Sequence, residues 1–116
     1  MRSDNELDRA SDAVVAAGLK PKLLDEQVDI LHDTVSIGIM HLAKGLEFKC
    51  VVVMACDDEV IPLQERIETA GDEGELEEVY NTERNLLYVA CTRARDYLLV
   101  TSGNGASEFL DDLRGL

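Results

Sequence analysis

The chain has no tryptophan, and only two phenylalanines and three tyrosines among its 116 residues. An aromatic core is excluded. The 46% of hydrophobic residues must build the interior from valine, leucine, isoleucine and alanine. Cysteine is scarce and odd in number (Cys50, Cys56, Cys91), with no CxxC pair, which argues against a disulfide framework and a zinc site. All three are expected to be buried, reduced thiols. The two histidines, His32 and His41, are too isolated to suggest a metal centre. No apolar run approaches the ~20 residues that cross a bilayer. The segment Met1-Arg2-Ser3-Asp4-Asn5-Glu6 is polar and acidic, unlike a signal peptide. A cytoplasmic protein with no membrane partner is therefore expected. GxxxxGK[ST] is absent as well. Lys44-Gly45 stands in the reverse order after no glycine-rich loop, so nothing cradles a nucleotide's phosphates.

Positive charge is also lacking. The formal net charge is −13, which taken alone disfavours a nucleic-acid partner. The excess is local: residues 57–78 hold ten acidic groups against the single Arg66. This stretch, with Pro62, Gly71 and Gly74, reads as a long solvated loop holding at most one helical turn and no core. Asp57-Asp58-Glu59 at its start invites a metal-site reading, but no partner acid at a second strand end is apparent, so solvated charge is the expectation.

What remains is an alternation of helices and apolar strands. Leu7, Ala10, Val14 and Ala17 have helical spacing over 5–17, with Gly18 to end the helix and Pro21 to block its continuation. Short strands are expected at 22–25 and 35–40, with polar 27–34 between them as a loop or edge element. The segment 49–56, KCVVVMAC, is apolar on both faces, as in a central parallel strand covered on two sides. Thr82 is placed to cap a helix running to about Cys91. A last strand follows at 96–101 and a short helix at 107–113. No internal repeat is visible. The pattern predicts a single α/β layered domain over 1–116 with a mainly parallel sheet. Its site should lie beyond the carboxyl ends of the strands.

Two motifs carry the chemistry. One is Ile39-Met40-His41-Leu42-Ala43-Lys44-Gly45-Leu46-Glu47-Phe48, and the other is Glu83-Arg84-Asn85-Leu86-Leu87-Tyr88-Val89-Ala90-Cys91-Thr92-Arg93-Ala94. In this order and spacing they resemble motifs V (T-x-H-x-x-K-G-L-E-F) and VI (E-R-R-L-x-Y-V-x-x-T-R-A) of superfamily 1 DNA helicases of the UvrD/Rep/PcrA type. The likeness is strong from about Val35 to Ser102 and weaker over Arg2–Asp25.

The resemblance implies the C-terminal motor domain of such a helicase, a three-layer RecA-like fold of the P-loop NTPase type, incomplete at its N-terminus. It implies ATP and Mg2+ as cofactors, available only with the separate N-terminal RecA-like domain that supplies phosphate loop, magnesium ligands and attacking water. Glu47 is then the acid on the ribose, Gly45 a point of close backbone approach to nucleotide, and Arg93 the arginine finger. His41 and Lys44 would contact single-stranded DNA. Tyr88 and Arg84 would order the helix against motif V, and Thr92 would position Arg93 or cap the helix. Two positions depart from the family pattern: Ile39 replaces the usual threonine, removing a hydroxyl that could reach DNA, and Asn85 replaces the second arginine. The 116 residues are expected to be an excised piece or a truncated gene product, inactive as an ATPase alone and open to self-association. A non-enzymatic interaction module that keeps the fold is the rival reading. A receiver-type signalling domain is a distant third.

Overall fold

The computed structural model describes residues 1–24, 34–103 and 105–114. After a 3-10 turn at Asp4–Glu6 come α1 (Leu7–Ala16), β1 (Lys20–Leu23), β2 (Thr34–Ile37), a 3-10 turn at Met40–Ala43 and β3 (Phe48–Val53). Then follow α2 (Gln64–Glu68), α3 (Glu73–Cys91), β4 (Ala94–Val100) and α4 (Phe109–Arg114). The expectation for 27–33 lies outside the described residues.

The strands pair in parallel, as the alternation of elements requires, but as two separate pairs, β1–β2 and β3–β4. Pro21 sits in β1 opposite Val35; lacking an N–H, it is tolerated because β1 has, among the described residues, a neighbour on one side only. Gly18 at φ +81° supplies the left-handed residue that ends α1 and turns the chain into β1.

Two clusters hold the fold. Ala10 of α1 packs with Met1 and Ile37, joined by Leu7, Val14, Ile39 and Met54. The larger cluster joins Met40, Val53, Cys56, Ile61, Leu87, Ala90, Cys91, Phe109 and Leu110. Phe109 anchors α4 there, edge-on to Tyr80 at 6.1 Å between centroids and under the Arg84 guanidinium at 4.9 Å.

Four sequence expectations are corrected. The acidic stretch is not coreless: Ile61 is fully buried, and α3 begins at Glu73, nine residues before Thr82. Its true cap is Asp72, whose carboxylate accepts the Glu75 N–H at 2.8 Å. Glu73 and Glu75 then lie in the first turn, where the helix dipole favours negative charge. Half-buried Leu76, Val79 and Tyr80 continue the apolar stripe to Leu87. Second, β3 is covered on one side only: Val51 and Val53 turn inward, while Cys50 and Val52 are exposed. Third, Cys50 is thus not a buried thiol. Fourth, Tyr88 is exposed, and Arg84 pairs with Asp112 of α4 at 3.0 Å rather than ordering α3 against motif V.

The thiols give a first prediction. Burial, then the neighbouring Cys91, pushes the Cys56 thiol up to about 11, and burial raises Cys91 too. At pH 8 Ellman's reagent should titrate one thiol quickly in the folded chain and three in denaturant. Fast release from two or more sites in the native protein would contradict this core.

Candidate functional site

The two motifs meet through the backbone. α3 ends at Cys91, Thr92 is its C-cap, and Arg93 leads into β4. The Arg93 carbonyl accepts the Phe48 N–H at 2.8 Å, which opens the β3–β4 ladder, and Phe48 pairs with Ala94. Glu47 and Arg93 therefore sit one residue before adjacent parallel strands. They lie at the amino ends of β3 and β4, not beyond carboxyl ends as the sequence suggested. His41, by contrast, follows the carboxyl end of β2.

The Arg93 side chain binds both motifs. Its Nε donates to the Val89 carbonyl at 3.1 Å, Nη1 to the Leu46 carbonyl at 3.3 Å and Nη2 to Thr92 Oγ1 at 3.2 Å. The Thr92 hydroxyl itself donates to the Val89 carbonyl at 2.9 Å. Thr92 thus both caps the helix and holds Arg93. A cation at the last carbonyls of α3 also complements the helix dipole. Three of the guanidinium's five N–H donors are engaged. The remainder belong to a half-buried, permanently charged fork suited to oxyanions.

Glu47 is exposed, and its nearest cation is Arg95 Nε at 3.9 Å. An exposed pair at that distance contributes about 0–1 kcal/mol, so the carboxylate is available to a ligand. Gly45 adopts φ +82°, and an added Cβ would meet nothing within 4 Å. Glycine is needed there for the turn conformation. His41 and Lys44 are exposed on the same connection. Ile39 is half-buried against the smaller core cluster, so the threonine replaced in this chain stands at a packing position. Asn85 is exposed.

The acidic residues do not crowd this edge. Glu73, Glu75, Glu77 and Glu78 occupy the first turns of α3, and Arg93 follows its last. The helix separates them by roughly 22–30 Å at 1.5 Å per residue, about three to four Debye lengths at physiological salt. Asp57 is tied down by Arg9 Nη1 at 2.8 Å and by the Gly103 N–H. Among the described residues no cluster of three or more histidine, cysteine, aspartate or glutamate side chains could hold a metal ion. No helix among them is long and apolar enough to cross a membrane.

Sequence reasoning missed Glu83. It is fully buried and gathers four N–H donors from three residues: Arg2 (Nε 2.9 Å, Nη2 3.0 Å), Arg66 Nη1 (3.2 Å) and the Leu63 N–H (2.8 Å). One carboxylate thus ties the N-terminal segment and the 57–68 segment to α3. The signal was available: Glu83 occupies the helical stripe of Leu87, Ala90 and Cys91, where an acid has no place unless it is paired.

The profile of the UvrD-like helicase C-terminal domain matches residues 7–105. The chain is 48% identical over 69 residues to YjcD of Bacillus subtilis (strain 168), covering 58% of this chain and 9% of that protein. It is 40% identical over 67 residues to the ATP-dependent DNA helicase PcrA of Staphylococcus aureus (strain MRSA252), 58% of this chain and 8% of that one. It thus spans roughly a tenth of the length of these curated relatives. Among solved structures, it is similar to the C-terminal domain of a possible DNA helicase from Lactobacillus plantarum WCFS1. There the TM-score is 0.60 at 25% identity, over 94% of this chain and 56% of that one.

Proposed function

The chain belongs to the UvrD-like helicase C-terminal domain family, and from that premise we propose that it forms part of the C-terminal, three-layer RecA-like motor domain of an ATP-dependent DNA helicase. It works as one face of an interdomain ATP site and as part of a single-stranded DNA track. The observation supporting this reading is the junction itself, in which Arg93 is bonded to the motif V carbonyl of Leu46 while the neighbouring Glu47 carboxylate stays exposed.

The residues fit part of a nucleotide site and only part. ATP, when bound with Mg2+, supplies the phosphoryl group that is transferred, and the phosphate cradle and metal ligands come from the partner N-terminal RecA-like domain. Glu47 accepts hydrogen bonds from ribose hydroxyls. The turn at Gly45 sets the path of the backbone into Glu47. Arg93 donates to the γ-phosphate oxygens, where a planar fork stabilises spreading charge. Lys44 and His41 face the DNA backbone from the same connection. The setting is the cytoplasm. A second reading, an interaction module without motor activity, draws on the three internal acceptors already held by Arg93.

The ribose contact has a direct test. In the full-length protein, Glu47→Ala is expected to abolish discrimination between ATP and its 2′- and 3′-deoxy analogues, because a site built to bond a hydroxyl rejects the analogue lacking it. Discrimination that is unchanged in this variant removes Glu47 from the site. ATP hydrolysis by the 116 residues alone would contradict the divided site.

A further inference from the structure

The two strands that leave the motif junction are out of step at their start. Phe48 pairs with Ala94 and Cys50 with Tyr97, so two steps along β3 match three along β4. Arg95 and Asp96 together stand opposite the single residue Lys49, which makes a bulge in β4. From Tyr97 to Val100 the pairing is regular again. A bulge breaks the alternation of side chains along a strand and re-aims those it holds. This one falls just after Arg93.

Carried back by one residue, the Phe48–Ala94 pairing sets Glu47 opposite Arg93. Opposite charges so placed attract, yet Arg93 bonds to neutral acceptors instead: the Val89 and Leu46 carbonyls and the Thr92 hydroxyl. The cation beside Glu47 comes from the bulge. Arg95 Nε stands 3.9 Å from Glu47 Oε1. Asp96, the other bulge residue, forms no ion pair among the described residues. Arg95 is thus turned to the motif V acid and not to the acid next to it in the chain.

The distance decides what Arg95 does there. At 3.9 Å it lies outside the N–H···O hydrogen-bond range of about 2.7–3.2 Å, so it takes up no lone pair of the carboxylate. Both side chains are more than half exposed, at 55% for Arg95 and 66% for Glu47. A glutamate this exposed turns through many rotamers, and a ligand that bonds it must first still it. A neighbouring cation narrows that range by charge and leaves both oxygens open to donors.

We propose that Arg95 is a positioning residue of the nucleotide site: the β4 bulge brings its guanidinium beside Glu47 and holds that carboxylate oriented for a vicinal diol, the 2′- and 3′-hydroxyls of a ribose, while Arg93 stays clear of the acid and open to phosphate. This rests on the reading of Glu47 as the ribose acid.

The test measures binding rather than turnover. In the full-length protein that contains this chain, calorimetry with Mg2+ gives the Kd of a non-hydrolysable ATP analogue and of its 2′,3′-dideoxy form. The ratio of the two reports the hydroxyls alone. Arg95→Met is expected to shrink the preference for the ribose form by about three- to tenfold, the effect of one more side chain to immobilise on binding. The Kd of the dideoxy form should not move. Arg95→Lys keeps a cation at the bulge and should restore most of the preference. An equal loss for both analogues would make Arg95 a general attractor of phosphate, and overturns the proposal. An unchanged preference overturns it as well. So does an increased one, which would make Arg95 a competitor of the ribose, and so does a lysine variant with no recovery, since charge would then not be the agent. Glu47→Ala separates this inference from the reading beneath it. If Glu47→Ala erases the preference and Arg95→Met does not, the role of Arg95 falls and the ribose contact stands. If Glu47→Ala leaves the preference intact, both fall.

Discussion

Arg93→Lys in the full-length protein that contains this chain is expected to lower DNA-stimulated ATP turnover by about 10³–10⁵-fold, the range in which an arginine finger acts in related phosphoryl transfer. That corresponds to roughly 4–7 kcal/mol of transition-state stabilisation at 1.36 kcal/mol per decade. Lysine is the informative substitution. Arg93 also closes α3, through the Val89 and Leu46 carbonyls, so alanine would remove a helix-terminal cation and a tether between the motifs along with the fork. Lysine keeps the cation near the α3 carbonyls and loses the planar, multiply donating geometry. Stability should therefore fall by about 1 kcal/mol for a lost hydrogen bond, while turnover collapses. Thermal unfolding and steady-state ATPase assays on the same preparation separate the two effects. A lysine variant that is folded and turns over ATP at near-normal rate returns Arg93 to its role as a helix-end cation and favours the interaction-module reading.

The strands and helix ends were legible where their signals are local. A run such as Phe48–Val53 or Ala94–Val100 reveals a strand from a handful of neighbours, and Gly18 and Pro21 mark the end of α1 by conformation alone. What stayed hidden depends on contacts across the chain. The pairing of strands two by two follows from which edges meet, and nothing in the apolar character of Lys49–Cys56 says that one face will lack a cover. In the acidic stretch composition and periodicity point in opposite directions, and periodicity wins. Leu76, Val79, Tyr80, Glu83 and Leu87 already trace one helical stripe through it, and Asp72 is the better cap. Likewise, the resemblance to motifs V and VI nominates Glu47 and Arg93 as candidates but does not tell that both precede their strands. That placement follows from the Phe48–Ala94 register.

Removing the Glu83 carboxylate should be the most destabilising single change in the chain. Glu83→Ala leaves Arg2, whose side chain is 7% exposed, without its partner, and also frees Arg66 and the Leu63 N–H. Arg66 can turn to solvent, but Arg2 cannot without dragging the N-terminal segment off α3. Breaking a buried pair from one side costs about 3–5 kcal/mol, a large share of the roughly 5–15 kcal/mol that a domain has. Glu83→Ala should therefore unfold at a markedly lower temperature and denaturant concentration than the natural chain. The double change Arg2→Met with Glu83→Met should recover most of the loss, because apolar replacement of both partners removes the stranded charge. Chemical denaturation of Arg2→Met, Glu83→Met and the double variant gives the coupling directly. Additive losses would show that the pair is not a unit. The same carboxylate sets an acid limit. Burial alone would raise its pKa. The hydrogen bonds from Arg2 and the Leu63 N–H, with the charges of Arg2 and Arg66, outweigh burial and hold it below its ordinary 4.5. A depressed carboxylate adds stability above its unfolded pKa and loses it as pH falls through the folded value. The natural chain should thus weaken as pH drops below about 4.5, and the double methionine variant should weaken less over that interval. Parallel acid-unfolding curves for the two would mean that other carboxylates, not Glu83, set the acid limit.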